Sequence, residues 1–292
     1  MKLVTFTARH DPASAAAVGA LVDGGAGVLD FRRADLQMPH EMLACFDLNG
    51  SWLPRAREIA GRQPSADMVV AIDAVRLLAP VPRPGKLVCV GLNYRDHAAE
   101  SKMPVPERPI LFSKFATSVI GPGDPIVIPP ASEKVDYEAE LAIVIGRRVK
   151  RATREQAASA ILGYTIVNDV SARDFQFGDG QWQRGKSCDT FAPMGPSIAT
   201  TDEVADPQTL GISLRVNGRT LQSSNTNQMV FGAVDLVTFI SETITLEPGD
   251  VIATGTPPGV GFARQPPVFL KAGDRVEVEI DGLGILENPV SL

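Results

Sequence analysis

The chain has 292 residues, 44% of them apolar and 21% charged, the proportions of a globular protein long enough to bury a sizeable core in one large or two modest domains. A net charge of −6 argues against a nucleic-acid partner and against an anionic membrane surface, so an anionic substrate would need local positive charge from a metal or from Lys and Arg. Three scattered cysteines without C-x-x-C spacing indicate neither a disulfide framework nor a thiolate zinc site and fit a reducing compartment. With no presequence pattern and no long apolar run, a cytoplasmic protein is expected.

Many glycines and prolines against few aromatics predict short strands and frequent turns. Residues 1–80 read as a small α/β domain: strands at Lys2–Thr7, Val18–Val22 and Gly27–Phe31, and a helix over Ser51–Gly61. No acids, bases and nucleophiles are combined there, and His10 and His40 read as packing or surface residues. Pro80-Val-Pro-Arg-Pro-Gly85 forbids regular helix and central strand alike and sets the boundary to a second domain, residues 86–292.

A strand over Lys86–Gly91 leads into a helix capped by Asn93 and running through Glu100, which makes His97 and Glu100 neighbours on one face. Pro104 and Pro106 stop it, leaving a short element with few contacts that can move as a lid. Pro109–Ser113 reads as a strand ending at Lys114.

Val135–Gly146 is the stretch on which the rest depends. Period 2 puts Val135, Tyr137, Ala139, Leu141, Ile143 and Ile145 on a dry face, and Asp136, Glu138 and Glu140 at the start of the other. Alternate side chains emerge roughly 7 Å apart on the same side, so Glu138 and Glu140 can share one ion. A solvated acidic face is the plain alternative. Thr153-Arg-Glu-Gln156 opens a helix, and the chain returns in a strand, Tyr164–Asp169, whose last residue is a further acid. These carboxylates, with no His or Cys nearby, suit Mg²⁺, Mn²⁺ or Ca²⁺ and not zinc.

Gly180–Ser187 has the spacing of a phosphate-binding loop but lacks the apolar strand before it and the helix after it, so a nucleotide site is rejected. Lys186 remains a cation that can face the acids. Farther on, Asn217-Gly218 marks a hairpin between Ile212–Val216 and Arg219–Gln222, Gly232–Glu242 has amphipathic helix spacing, and strands follow at Val251–Thr254, Arg275–Ile280 and the C-terminus. The whole is α+β: a mixed β-roll or β-sandwich catalytic domain behind a small N-terminal α/β domain.

Gly91-Leu-Asn-Tyr-Arg-Asp-His97 with Glu100, Asp136-Tyr-Glu-Ala-Glu140, Asn168-Asp-Val-Ser-Ala-Arg-Asp174, Gly185-Lys-Ser187 and Thr254-Gly-Thr-Pro-Pro-Gly259 occur in the order found in the fumarylacetoacetate hydrolase family, which residues 86–292 resemble. Ser223–Phe231 and Pro266–Lys271 are similar to the subgroup of fumarylacetoacetate hydrolase domain-containing proteins that includes an oxaloacetate tautomerase. The resemblance implies that Glu138, Glu140 and Asp169 hold the metal, usually Mg²⁺. His97 and Glu100 would be a water-activating dyad on a lid, Lys186 would stabilise developing negative charge, and Arg173, Gln176 and Thr256 would contact substrate oxygens. Some acylpyruvases carry Arg after the first glycine where this chain has Leu92, so that contact is missing or supplied by Arg95. The implied reaction is carbon–carbon hydrolysis of an acylpyruvate-type 2,4-dioxo acid. Oxaloacetate tautomerisation, decarboxylation and a non-catalytic metal-binding role are the alternatives, and a homodimer is the expected assembly.

Overall fold

The computed structural model describes residues 1–11, 14–46, 50, 52–62 and 64–292. The N-terminal region runs β1 (Lys2–Ala8), β2 (Ala17–Val22), β3 (Gly27–Asp30), α1 (Phe31–Ala34), α2 (Trp52–Gly61), β4 (Val69–Ala71) and β5 (Val75–Leu78). The expected helix start, Ser51, lies outside the described residues, and Phe31 opens α1 instead of closing β3, because Asp30 accepts from the Arg32 and Arg33 amides as an N-cap.

Beyond the proline cluster come β6 (Leu87–Gly91), α3 (Arg95–Glu100), β7 (Ile110–Lys114), β8 (Val119–Ile120), β9 (Ile126–Val127), β10 (Val135–Asp136) and β11 (Ala139–Ile145). Next are α4 (Arg154–Ala160), β12 (Ile161–Asn168), β13 (Ser171–Ala172), α5 (Arg173–Gly178), α6 (Gln183–Lys186) and β14 (Ala192–Thr200). The chain ends with β15 (Gly211–Val216), β16 (Arg219–Asn225), α7 (Ala233–Thr243), β17 (Val251–Ala253), β18 (Arg275–Ile280) and β19 (Gly284–Ser291). The capping box of α4 forms as its sequence predicts, with Thr153 accepting from the Gln156 amide. Asn217 and Gly218, both at positive φ, turn β15 into β16.

A twelve-stranded sheet has the path β4-β3-β2-β1-β14-β12-β11-β17-β6-β7, with β5 paired to β1 and β8 to β14 off that path, and a five-stranded sheet is ordered β16-β15-β18-β19-β9. Strands from before and after the proline cluster therefore share one sheet, joined where β1 pairs with β14. β11 lies between two cores. Leu141, Ile143 and Ile145 pack toward the five-stranded sheet with Leu214, Val278 and Leu286, while Ala142 and Val144 face Leu3, Phe31 and Leu53 of the N-terminal region. The alternation read from the sequence is present, but both faces are buried, so the acidic residues at the start of this strand lie inside the protein. The expectation of an α+β protein with a β-roll or sandwich holds.

Candidate active site

The single strand expected over Val135–Gly146 is broken at Tyr137–Glu138, and the break assembles the acids. The Glu138 amide donates to the Asn168 side-chain Oδ1 (3.0 Å), and the Asp169 amide donates to the Glu138 carbonyl (2.9 Å), locking the gap against the end of β12. Glu138, Glu140 and Asp169 then present carboxylate oxygens all within 4.8 Å of one another, each residue buried. The solvated alternative is thereby removed.

Three cations enclose this cluster. Lys186 Nζ lies 2.8 Å from Glu138 and 2.7 Å from Asp169. Lys114 Nζ, on β7, donates to the other Asp169 oxygen at 2.5 Å and to the Val170 carbonyl at 2.9 Å. Arg173 spans Asp136 (2.9 Å) and Glu138 (2.6 Å) and donates to Gln176 Oε1 (2.9 Å). Lys186 gets in because α6 lies hard against α5: a Cβ on Gly185 would come within 2.6 Å of the Gln176 amide nitrogen.

In this cluster four buried carboxylates, Asp136, Glu138, Glu140 and Asp169, meet three buried cations, and the shortfall falls on Glu140. Glu140 accepts from the Gly255 amide (2.8 Å), where positive φ and an approach to Asn93 that leaves no room for a Cβ both call for glycine. Burial, then the charges of Asp169 and Glu138, push the Glu140 carboxyl well above the usual carboxylate range. Burial opposes ionisation of Glu138 too, but Lys186 and Arg173 outweigh it and hold that carboxyl at about 2. An all-oxygen donor set, dry, tightly clustered and one positive charge short, can hold a hard divalent cation.

His97 Nδ1 lies 3.0 Å from Glu100 Oε2, and Glu100 Oε1 accepts from the Gly259 amide at 2.9 Å. With Nδ1 committed to Glu100, Nε2 is the basic nitrogen. The expected lid, α3, lies docked in this structure. Asp96 accepts from the Ser224 hydroxyl (2.5 Å), Glu100 holds Gly259, and His97 is 8% exposed. Asn93 does not cap this helix: Tyr94 is the N-cap residue, and the Asn93 side chain ties Phe231 to Thr254 instead. Arg95 donates to the Met229 carbonyl at 2.6 Å and supplies no cation to the site, whose corresponding lining residue is Leu92.

A cavity of about 450 Å³ opens over the acids, with His97, Glu100, Arg173, Gln176, Lys186 and Thr256 in its wall. Asp169, fully buried, is not part of that wall but keeps its carboxylate beside those of Glu138 and Glu140. Thr256 Oγ1 accepts from Gln222 Nε2 (2.8 Å), which leaves its hydroxyl proton free to donate. All nine residues singled out from the sequence thus converge. Lys114 and Asp136 were given no role of their own by the sequence reading, although alternation along β7 places Lys114 on the side of Phe112, and Phe112 lines the cavity.

Residues 86–291 match the family model described as "Fumarylacetoacetate (FAA) hydrolase C-terminal". The chain is 47% identical over 292 residues to "Oxaloacetate tautomerase FAHD2A, mitochondrial" of Bos taurus, and 47% identical over 293 residues to the Homo sapiens protein of that name; each match covers 99% of this chain and 91% of the relative. A solved fumarylacetoacetate hydrolase from Exiguobacterium antarcticum superposes with a TM-score of 0.86 at 38% identity, covering 100% of this chain and 99% of that one. The cytoplasmic expectation is overturned by these relatives, which are mitochondrial by name. The part of its basis that is physical, cysteines without disulfide partners, marks a reducing environment and does not single out the cytoplasm. No helix among the described residues is long and apolar enough to cross a membrane. A buried acidic triad, its lysine and the dyad, all within a segment matched from end to end, lead to one conclusion: this chain belongs to the fumarylacetoacetate hydrolase family.

Proposed function

We propose that this protein is a divalent-cation-dependent enzyme that moves a proton at the carbon beside the carbonyl of a 2-oxo carboxylic acid, and that keto–enol tautomerisation of oxaloacetate is one of its reactions. The observation that carries this reading is the trio of buried carboxylates, one positive charge short, beneath a cavity that His97 also lines. The names of relatives 47% identical over almost the whole chain support the substrate.

In this reading Glu138, Glu140 and Asp169 hold Mg²⁺, for which Mn²⁺ or Ca²⁺ substitutes. The bound cation supplies Lewis acidity that makes the carbon beside the carbonyl easier to deprotonate. Lys186 Nζ faces the negative charge that develops on the carbonyl oxygen. Gln176 and the Thr256 hydroxyl orient substrate oxygens, and Arg173 holds Glu138 and Gln176 in place while contributing positive charge. His97 Nε2 takes and returns the proton, its ring held by Glu100, and the docked α3 limits access of bulk water.

A second reading, carbon–carbon hydrolysis of an acylpyruvate-type 2,4-dioxo acid, is favoured by the His97–Glu100 pair, since a base with its own orienting carboxylate is what activation of a water requires. All these residues lie in 86–292, so we take 1–80 as an auxiliary domain and 86–292 as the catalytic one. We also propose a homodimer. The apolar face of α7 is buried within the chain, and the support is the edge strand β7, where Ile110 is 39% and the adjoining Phe115 58% exposed. A monomeric mass in solution would refute the dimer.

The test of function is direct. Protein stripped with chelator and reloaded with Mg²⁺ or Mn²⁺ should accelerate the enol-to-keto conversion of oxaloacetate in proportion to bound cation. The same preparations offered an acylpyruvate report cleavage. No acceleration of either reaction over buffer with cation alone would sink the proposal.

A further inference from the structure

The cavity has two unlike ends. Its floor carries the ionic groups, and its outer part is bounded by two aromatic pairs. Phe112 and Trp182 meet edge-to-face with centroids 5.3 Å apart, and Phe177 and Phe262 do so at 5.5 Å. Each pair begins at a floor cation: Lys186 Nζ sits 5.1 Å from the Phe112 ring centroid, and the Arg173 guanidinium carbon 4.5 Å from that of Phe262. From these inner rings the walls lead outward to half-buried Trp182 and to Phe177, which is 61% exposed, with Leu92, Met103 and Ile110 also lining the space.

Among the described residues, no cation other than those of the floor lines this outer chamber. Among the lining residues the only Lys or Arg side chains are Lys186 and Arg173, and both are held in ion pairs with the floor acids. Arg95 and Arg264 are spent on backbone carbonyls, of Met229 and of Gly259 and Leu221, and exposed Lys102, between the lining residues Ser101 and Met103, is not itself in the wall. At about 450 Å³ the cavity falls within the range that encloses drug-sized ligands, and a small diacid such as oxaloacetate, held at the floor, leaves the chamber vacant. A long 2-oxo acid ending in a second carboxylate would bring that charge against aromatic carbon with nothing to pair it. An alkyl or aryl tail would exchange water for four rings.

We infer that the aromatic chamber is a specificity subsite that admits 2-oxo acids with an apolar tail, acylpyruvates bearing an alkyl or aryl group, and discriminates against equally long acids that end in a carboxylate. This rests on the proposed function only in that the 2-oxo acid head occupies the acidic floor. Phe112, Trp182, Phe177 and Phe262 determine tail specificity, and Phe177, at the rim, is the residue most open to change.

The test uses the full chain loaded with Mn²⁺ and a panel of oxaloacetate, a series of acylpyruvates of increasing alkyl length, benzoylpyruvate, and a fumaryl-type diacid of matching length. Calorimetry gives affinity whether or not a compound reacts, and turnover is followed in parallel. Affinity should rise about fourfold per added methylene until the chamber is full, the equivalent of about 0.8 kcal/mol each. The diacid should bind at least tenfold more weakly than the alkyl acid of equal length. Phe177→Arg, a change at an exposed position that the fold tolerates, should erase or reverse that preference, and Phe177→Leu should keep it. Affinity that is flat or falling with tail length, or a wild-type preference for the diacid, overturns the inference. A gradient in binding without any turnover would overturn the proposed function and leave the subsite standing; turnover of oxaloacetate without a gradient would do the reverse.

Discussion

In the N-terminal region Arg55 reaches Asp35 at 3.0 Å and Glu58 at 2.8 Å with 42% of its own side chain exposed, whereas in the floor of the site Lys114 and Asp169 meet at 2.5 Å with neither exposed at all. The chemical groups are alike and the physics is opposite. Exposed pairs are screened by water and contribute about 0–1 kcal/mol each. Buried pairs carry a desolvation cost that their attraction only partly repays, so a hydrophobic replacement of the whole set would serve stability as well or better. A floor of four acids and three cations is therefore explained by what it holds and not by what it stabilises, while the pairs around α2 are explained as solvated surface.

The sharpest way to break that comparison is to remove the acid without a cation of its own. Glu140→Ala should lower affinity for Mn²⁺ by more than about a hundredfold, beyond the 10–100-fold typical of outer-shell groups, with the far-ultraviolet dichroism of the wild type. Unchanged Mn²⁺ affinity by calorimetry would return the acids to a purely structural role. His97 stands between the two regimes, nearly buried yet paired only with a half-buried Glu100. His97→Ala should cost about 10²–10⁴ in turnover of a 2,4-dioxo acid and leave Mn²⁺ binding intact. Wild-type rates from this variant would show that the dyad activates nothing.

Lys114→Met removes one partner of a fully buried pair and should destabilise the protein by about 3–5 kcal/mol in urea denaturation at neutral pH. A loss below about 1 kcal/mol would mean that floor pairs behave like surface pairs. The smallest effect belongs to Asp202, which is 48% exposed and joins the N-terminal ammonium and Arg57 to the catalytic region. Partial burial disfavours its charge, but hydrogen bonds from Thr200, its own backbone and Arg57, with the N-terminal ammonium, prevail and hold the carboxyl at about 2. Its folded value is below the unfolded one, about 3.9, so its contribution is complete above pH ~4 and is lost as pH falls toward about 2. Asp202→Asn should thus cost under about 1 kcal/mol at neutral pH, with the difference from wild type closing in that acid window. A larger cost, or one that does not vary with pH, would place this seam with the floor.

Much of this site could be read in the sequence. Alternation along 135–146 put Glu138 and Glu140 on one side, a strand read as ending on Asp169 delivered that acid, one residue beyond the observed β12, and helical spacing paired His97 with Glu100. Each of these is local, fixed by backbone geometry over a few residues, which is why sequence alone determined it. What the local pattern left open was whether the acids faced water, and that was settled by the two cores that close over both sides of β11. Lys114 looked like any lysine at the end of a strand until β7 was laid beside β6 and the start of the Asp169 segment. Asp136 belonged by pattern with the metal ligands; in the fold Arg173 and the Gly261 and Phe262 amides claim it. The aromatic chamber left no trace in the sequence, because its two pairs join residues far apart along the chain whose meeting depends on how α5, α6 and the 256–263 loop pack around the acids. Short-range periodicity thus fixed which groups the protein could offer, and only long-range packing decided which of them were dry, which were paired, and where one positive charge was missing.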